Sequence, residues 1–154
     1  MRPKSQLPGW REWLPTLSAD IKLRDPATES DVAAAEAVLH TTFDGQLRSL
    51  LLASDGIGGR YGFWLVWPAN RIASENGRYR TIASLKELYM PFDHLLFIGE
   101  AGNGDLFAYP ITADGNAGSR GDIFRWDHET DGRLWVAGGL RQYIQGFTDG
   151  TIPA

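Results

Sequence analysis

The chain has no cysteine and only three histidines, His40, His94 and His128, among its 154 residues. Without cysteine there is no disulfide framework, no thiolate zinc site and no cysteine nucleophile. The histidines show neither HxxxH nor HExxH spacing, so the local sequence writes no zinc site. A GxSxG nucleophile elbow is also missing. No apolar run approaches the roughly 20 residues of a membrane-spanning helix. Pro3, Pro8, Glu12 and Pro15 interrupt the first twenty residues, which predicts no signal peptide, no membrane association and a cytoplasmic address. An excess of one charge is lacking too. The formal net charge of −4 is mildly acidic, which speaks against nucleic acid as a direct ligand. No repeat or composition break divides the chain, and its length suits one domain with one sizeable core.

What is present reads as helices first and strands later. Trp10, Trp13, Leu14 and Leu17 fall at helical spacing, with Pro15 as a bend or break. IKLRDPA is an extended connector, because Pro26 disfavours helix at Asp25. Thr28 and Asp31 form a capping-box pattern ahead of a helix whose apolar stripe is Val32, Ala35 and Leu39. Asp44 is a second N-cap, Leu47, Leu50 and Leu51 the buried face, and Asp55-Gly56 the stop through a left-handed glycine. FWLVW, ended by Pro68, reads as a strand. Residues 69–89 read as helical with Gly77 as the weak point. LLFIGEA, DLFAYPI, DIFRWD and RLWVA follow as four short strands, with Asp131-Gly132 a tight hairpin between the last two. TADGNAGSRG is a polar connection, and Leu140, Tyr143, Ile144 and Phe147 mark a closing helix. The expected fold is α+β, a mostly antiparallel twisted sheet flanked by helices in a single domain.

The block FIGEAGNGDLFAY, residues 97–109, invites a functional reading. Its glycines, Gly99, Gly102 and Gly104, have the spacing GxxGxG. A dinucleotide fingerprint is GxGxxG, and a phosphate loop needs Gly-Lys-Ser/Thr running into a helix. Here Gly104 precedes Asp105, which repels phosphate, and a strand follows. Glu100 and Asp105 are candidates for a carboxylate pair, but acids in turns usually cap or solvate the turn. The block therefore reads as a fold-defining hairpin turn or bulge. DHETDG, residues 127–132, imitates the start of a calcium loop. Its twelfth position is Gly138, where a bidentate Glu is required. Trp126 beside this acidic turn reads either as core or as the rim of a protein interface.

PATESDVAAAEAVL, LRSLLLASDGIGG, WPANRIASENGRYR, MPFDHLLFIGEAGNGDLFAYPI and DIFRWDHETDGRLWVAGGLRQYIQGF together resemble the SUKH superfamily. That group includes the yeast Smi/Knr cell-wall-synthesis regulators and many bacterial immunity proteins. The resemblance runs from about residue 26 to residue 147 and is most specific at GEAGNGDLFAY followed by WDHE. HTTFDGQ, residues 40–46, departs from the short hydrophobic link expected there. The implied segments are an N-terminal helix and connector at 1–25, the SUKH-like domain at 26–148 and a tail at 149–154.

The resemblance implies a non-catalytic, intracellular protein-binding domain without cofactor or metal. Its partner would be a cognate toxin neutralised by stoichiometric binding, and the acidic balance suits a basic nuclease. The alternatives are a regulatory or scaffold module and, from another class, a small enzyme or nucleotide binder. Partner contacts are expected at Trp126, Asp127, Glu129 and Asp131 on the last hairpin and at Glu100 and Asp105 on the neighbouring one. If both turns lie at one sheet edge, these acids form one rim.

Overall fold

The computed structural model describes residues 8–153. Residues 1–7 of the expected N-terminal segment and Ala154 of the expected tail lie outside the described residues. Helix α1, Trp10–Trp13, passes into a 3-10 turn at Leu14–Thr16 that carries Pro15 in its first turn. There the missing N–H costs nothing, because the first N–H groups of a helix are unpaired anyway. Strand β1, Lys22–Leu23, follows. Helix α2, Glu29–Leu39, opens on the full capping box: Asp31 N–H donates to Thr28 Oγ1 at 3.0 Å, and Thr28 N–H to Asp31 Oδ2 at 2.9 Å. After strand β2, Thr42–Phe43, helix α3, Gly45–Ala53, is capped by Asp44. Strands β3, Ile57–Gly58, and β4, Trp64–Val66, then pair with β1 in the antiparallel order β1-β3-β4.

The stop after α3 differs from the expectation. The C-cap is Ser54, in an extended conformation, and Gly56 takes φ +90° two residues later. A Cβ on Gly56 would lie 2.7 Å from the Pro68 nitrogen, so glycine answers a close approach of two chain segments there. Asp55, in turn, accepts from Ala69 N–H at 2.8 Å. It thus caps a helix that begins fourteen residues later.

Helices α4, Ala69–Thr81, and α5, Ala83–Leu88, divide at the extended Ile82, not at Gly77. The main sheet is antiparallel in the order β5-β6-β8-β9, made of Leu95–Glu100, Leu106–Pro110, Ile123–Trp126 and Arg133–Ala137. The 112–121 connection also carries a short strand β7, Asn116–Ala117, which pairs in parallel with β2. Helix α6, Leu140–Asp149, ends on Gly150 at φ +85°. Beyond it Ile152 folds back: its N–H donates to Gly146 O at 2.8 Å, and its side chain is buried.

Leu106 opposes Trp126 and Phe107 opposes Arg125 in the sheet register. Alternation therefore puts Trp126 and Phe107 on opposite faces. Helices cover both. Trp126 joins Tyr79, Tyr89, Phe92 and Phe97 in a cluster with ring centroids 5.0–5.9 Å apart. Phe107 packs on Tyr143 of α6, ring centroids 4.6 Å apart.

At the β5 edge, where Trp67 N–H donates to Ile98 O at 2.7 Å, a side chain completes the pairing. Asn76 of α4, 1% exposed, donates to Phe97 O and accepts from Phe97 N–H, both at 2.8 Å. Phe97 stands at the bulge in the β5–β6 register. The Asn amide does the work of an adjacent strand for a backbone that would otherwise bury unpaired groups.

Candidate functional site

The two acidic turns meet, as the strand order implied. β5 and β6 end in the 101–105 turn, β8 and β9 in the 127–132 turn, and β6 pairs directly with β8. The second turn is not the tight two-residue hairpin read from Asp131-Gly132. It spans six residues between Trp126 and Arg133, and Asp131, not Gly132, takes the positive φ of +61°. Asp131 tolerates it because its carboxylate is held: Oδ1 accepts from Trp126 Nε1 at 2.8 Å and from Arg133 at 3.1 Å, and Oδ2 from Met90 N–H at 2.9 Å.

The expected acidic rim is largely neutralised. Asp105 is 6% exposed. Its Oδ1 lies 2.6 Å from His128 Nδ1 and accepts from His128 N–H at 3.1 Å, while Oδ2 accepts from Arg125 Nε at 2.9 Å. Glu100 accepts from Trp67 Nε1 at 2.7 Å and pairs with Arg71 at 3.1 Å. Asp127 accepts the N–H groups of Glu129 and Thr130, so it stabilises its own turn. Trp126 is 2% exposed and belongs to the core. Of the six residues expected on the rim, only Glu129 is exposed. The physical reason is that these acids sit within reach of turn N–H groups and of arginines on neighbouring strands and on α4, which their spacing in sequence does not reveal.

Burial pushes the Asp105 carboxyl up, but the hydrogen bonds from the His128 ring and backbone and from Arg125 outweigh it and hold it below the ordinary range. The same bond raises His128. The linkage has a definite sign. The raised His128 stabilises the fold fully below its unfolded pKa, and that stability is lost as pH rises through the folded pKa. The lowered Asp105 stabilises the fold above its unfolded pKa, and its share is lost as pH falls through the folded value. Wild type is therefore expected to lose urea resistance as pH rises above the ordinary histidine value of about 6.5, and His128→Gln to show a flatter profile there. Parallel profiles in urea titrations at several pH values would contradict this.

The glycines of the first turn have separate tasks. A Cβ on Gly99 would stand 2.0 Å from Leu65 O. Gly102 and Gly104 hold φ of +95° and +104°. A Cβ on Gly102 would meet the Phe63 ring at 3.1 Å, and one on Gly104 the His128 ring at 2.9 Å. Gly104→Val is expected to cost about 1–3 kcal/mol, since a β-branched residue is penalised at positive φ. An unchanged thermal midpoint would contradict the assignment.

Among the described residues, Asp105, Asp127 and His128 bring potential metal-ligand atoms within 4.8 Å of one another. Asp105 already carries a guanidinium at 2.9 Å, which opposes a second cation.

Beside the glycine turn lies a groove of about 670 Å3, a volume typical of ligand sites. Tyr61, Phe63 and Trp64 form one side, the 100–103 turn a second, and the end of α6 from Phe147 to Gly150 a third, with Asp20 at the rim. The sequence reading placed Glu100 near a binding surface, and Glu100 does line this groove. It passed over the other walls, whose one legible signal is GGRYGF, residues 58–63, where aromatics interrupt a glycine run.

No helix among the described residues is long and apolar enough to cross a membrane. The family model described as SMI1 / KNR4 family (SUKH-1) matches residues 26–146 of the chain. No curated protein matches it.

Proposed function

The chain belongs to the SMI1/KNR4 family (SUKH-1), and on that premise we propose that it is a non-catalytic, intracellular protein-binding domain that acts as an immunity protein. It neutralises a cognate toxin by stoichiometric binding. The observation that carries this reading is the family match across residues 26–146. Two features of the fold support it. The acidic turns are tied up in internal ion pairs and turn hydrogen bonds, so they offer no pair of free carboxylates for acid–base work. The groove, in contrast, exposes aromatic surface of the kind that concentrates binding energy at protein interfaces.

A second reading, a regulatory module with several partners, is favoured by one observation. Leu88, Met90, Leu134 and Trp135 are exposed apolar side chains outside the groove, and exposed apolar surface often marks a further contact site.

Co-expression with the toxin encoded in the neighbouring reading frame tests the proposal. Growth should be restored, and toxin activity should fall linearly to zero at molar equivalence. Protection at far lower protein levels would indicate turnover and overturn the reading. The absence of a toxin neighbour would favour the regulatory module. Calorimetric titration with ATP, NAD or Ca2+ is expected to show no saturable heat at micromolar concentrations, because neither the glycine spacing nor the twelfth loop position fits those ligands. A saturable signal would revive the small-enzyme or nucleotide-binding alternative.

A further inference from the structure

We propose that the groove beside the glycine turn is the docking site of the protein partner and that its anchor is an arginine side chain of that partner. The inference rests on the protein-binding reading above.

The walls set the first requirement. Tyr61, Phe63, Trp64 and Phe147 line the groove. Tyr61 is 85% exposed and Phe63 41% exposed, an unusual cost for large apolar rings unless something covers them. The charges set the second. Asp20, Glu100 and Asp149 line the same groove against one cation of the lining, Arg60. Arg60 is spent on Asp20 at 3.0 Å, an exposed pair that a competing guanidinium can replace. Glu100 is held by Trp67 and Arg71. Asp149 accepts from Thr151 and has no ion-pair partner among the described residues. It also sits on the last residue of the ten-residue α6, where the helix dipole is negative. Arg60 already lies 5.9 Å from the Tyr61 ring centroid and Arg24 5.3 Å from that of Trp64, so these rings accept guanidinium groups, and the unpaired Asp149 beside them selects a further cation. Arginine fits better than lysine, because its planar guanidinium stacks on a ring and forks onto a carboxylate at once.

The backbone carries the third indication. Tyr61 is a non-glycine residue in the left-handed region, φ 61° and ψ 23°. Such strain persists where a side chain is held for a purpose, and ligand clamps are a common setting. On the opposite wall, Gly102 lets the Phe63 ring lie against the turn. Gly102 therefore helps to shape the groove.

The test uses the full chain and two probes, N-acetyl-arginine methylamide and its neutral isostere N-acetyl-citrulline methylamide, in 15N–1H NMR titrations. The arginine probe should shift residues 59–65, 100–103 and 147–152. Affinity for the citrulline probe should be at least about fivefold lower, the factor a partly desolvated cation–π contact supplies. The Asp20→Asn, Asp149→Asn variant, whose acids are exposed or at the rim, should keep its spectrum and lose the response. Equal response to both probes, response elsewhere, or none would overturn the proposal.

In the co-expression assay, Asp149→Lys should lose protection and Glu12→Lys, an exposed charge outside the groove lining, should keep it. If wild type protects and Asp149→Lys protects equally, the groove assignment fails and the immunity reading stands. If wild type itself does not protect, the immunity reading fails, and the probe titration decides the groove alone. A dimer in light scattering that Asp149→Lys abolishes would make the occupant a second copy and overturn the assignment to a partner.

Discussion

Gly99→Ala should lower the stability of the fold by about 3 kcal/mol or more, the upper end of overpacking effects, and the thermal midpoint by about 9 °C for a domain of this size. The backbone conformation is not the reason, since Gly99 is not among the positive-φ glycines. The reason is contact. A Cβ at this position would stand 2.0 Å from Leu65 O, 2.8 Å from Leu65 C and 2.9 Å from Tyr143 Oη. Two of these atoms are backbone and cannot rotate away. The third donates to Leu65 O at 2.6 Å and is itself fully buried. A single methyl group must therefore part β4 from β5 and break the tie between β4 and α6. Guanidinium denaturation of the purified variant measures the effect. A midpoint within error of wild type would show that the two strands separate without cost. The groove should suffer as well, because Trp64 and Leu65 form part of its wall.

Trp126→Ala should cost about 3–5 kcal/mol, the range for deleting a buried aromatic side chain. The ring touches Tyr79, Tyr89, Phe92 and Phe97 at centroid distances of 5.0–5.9 Å, and its Nε1 donates to Asp131. Removing it leaves a cavity among four rings and strips one of the bonds that hold Asp131 at φ +61°. Trp135→Ala is the matched comparison. Trp135 is 54% exposed and hydrogen-bonds the surface residue Asp122, so its removal should change stability by about 0.5 kcal/mol or less. Equal effects in urea titrations would show that the two rings are not divided between core and surface. The comparison also bears on function. Any loss of partner binding in Trp126→Ala must be corrected for unfolding before it counts as a contact.

The sequence alone determined the order and type of the main elements. Their causes are local: a capping box at Thr28 and Asp31, an N-cap at Asp44, apolar stripes at helical spacing, and short apolar, β-branched and aromatic runs in β5, β6, β8 and β9. It also argued against phosphate binding at the glycine block and calcium binding at residues 127–132, because phosphate and calcium loops need specific residues at specific short spacings.

Boundaries that depend on distant partners were a different matter. Gly56 answers Pro68, and Asp55 caps α4. The helix break fell at Ile82 and not at Gly77. Only tertiary structure decided the fate of the acids. Asp105, Glu100 and Asp131 lie near Arg125, Arg71 and Arg133, and the partners of Asp105 and Glu100 are 20 and 29 residues away in the chain. Whether a carboxylate faces solvent or a guanidinium is set by strand register and helix placement, which no window of sequence encodes. The groove shows the same limit. Its walls come from the 18–21 segment, the 59–65 loop and strand, the glycine turn and the end of α6. A concave surface assembled from four separate segments exists only once the sheet and α6 have packed.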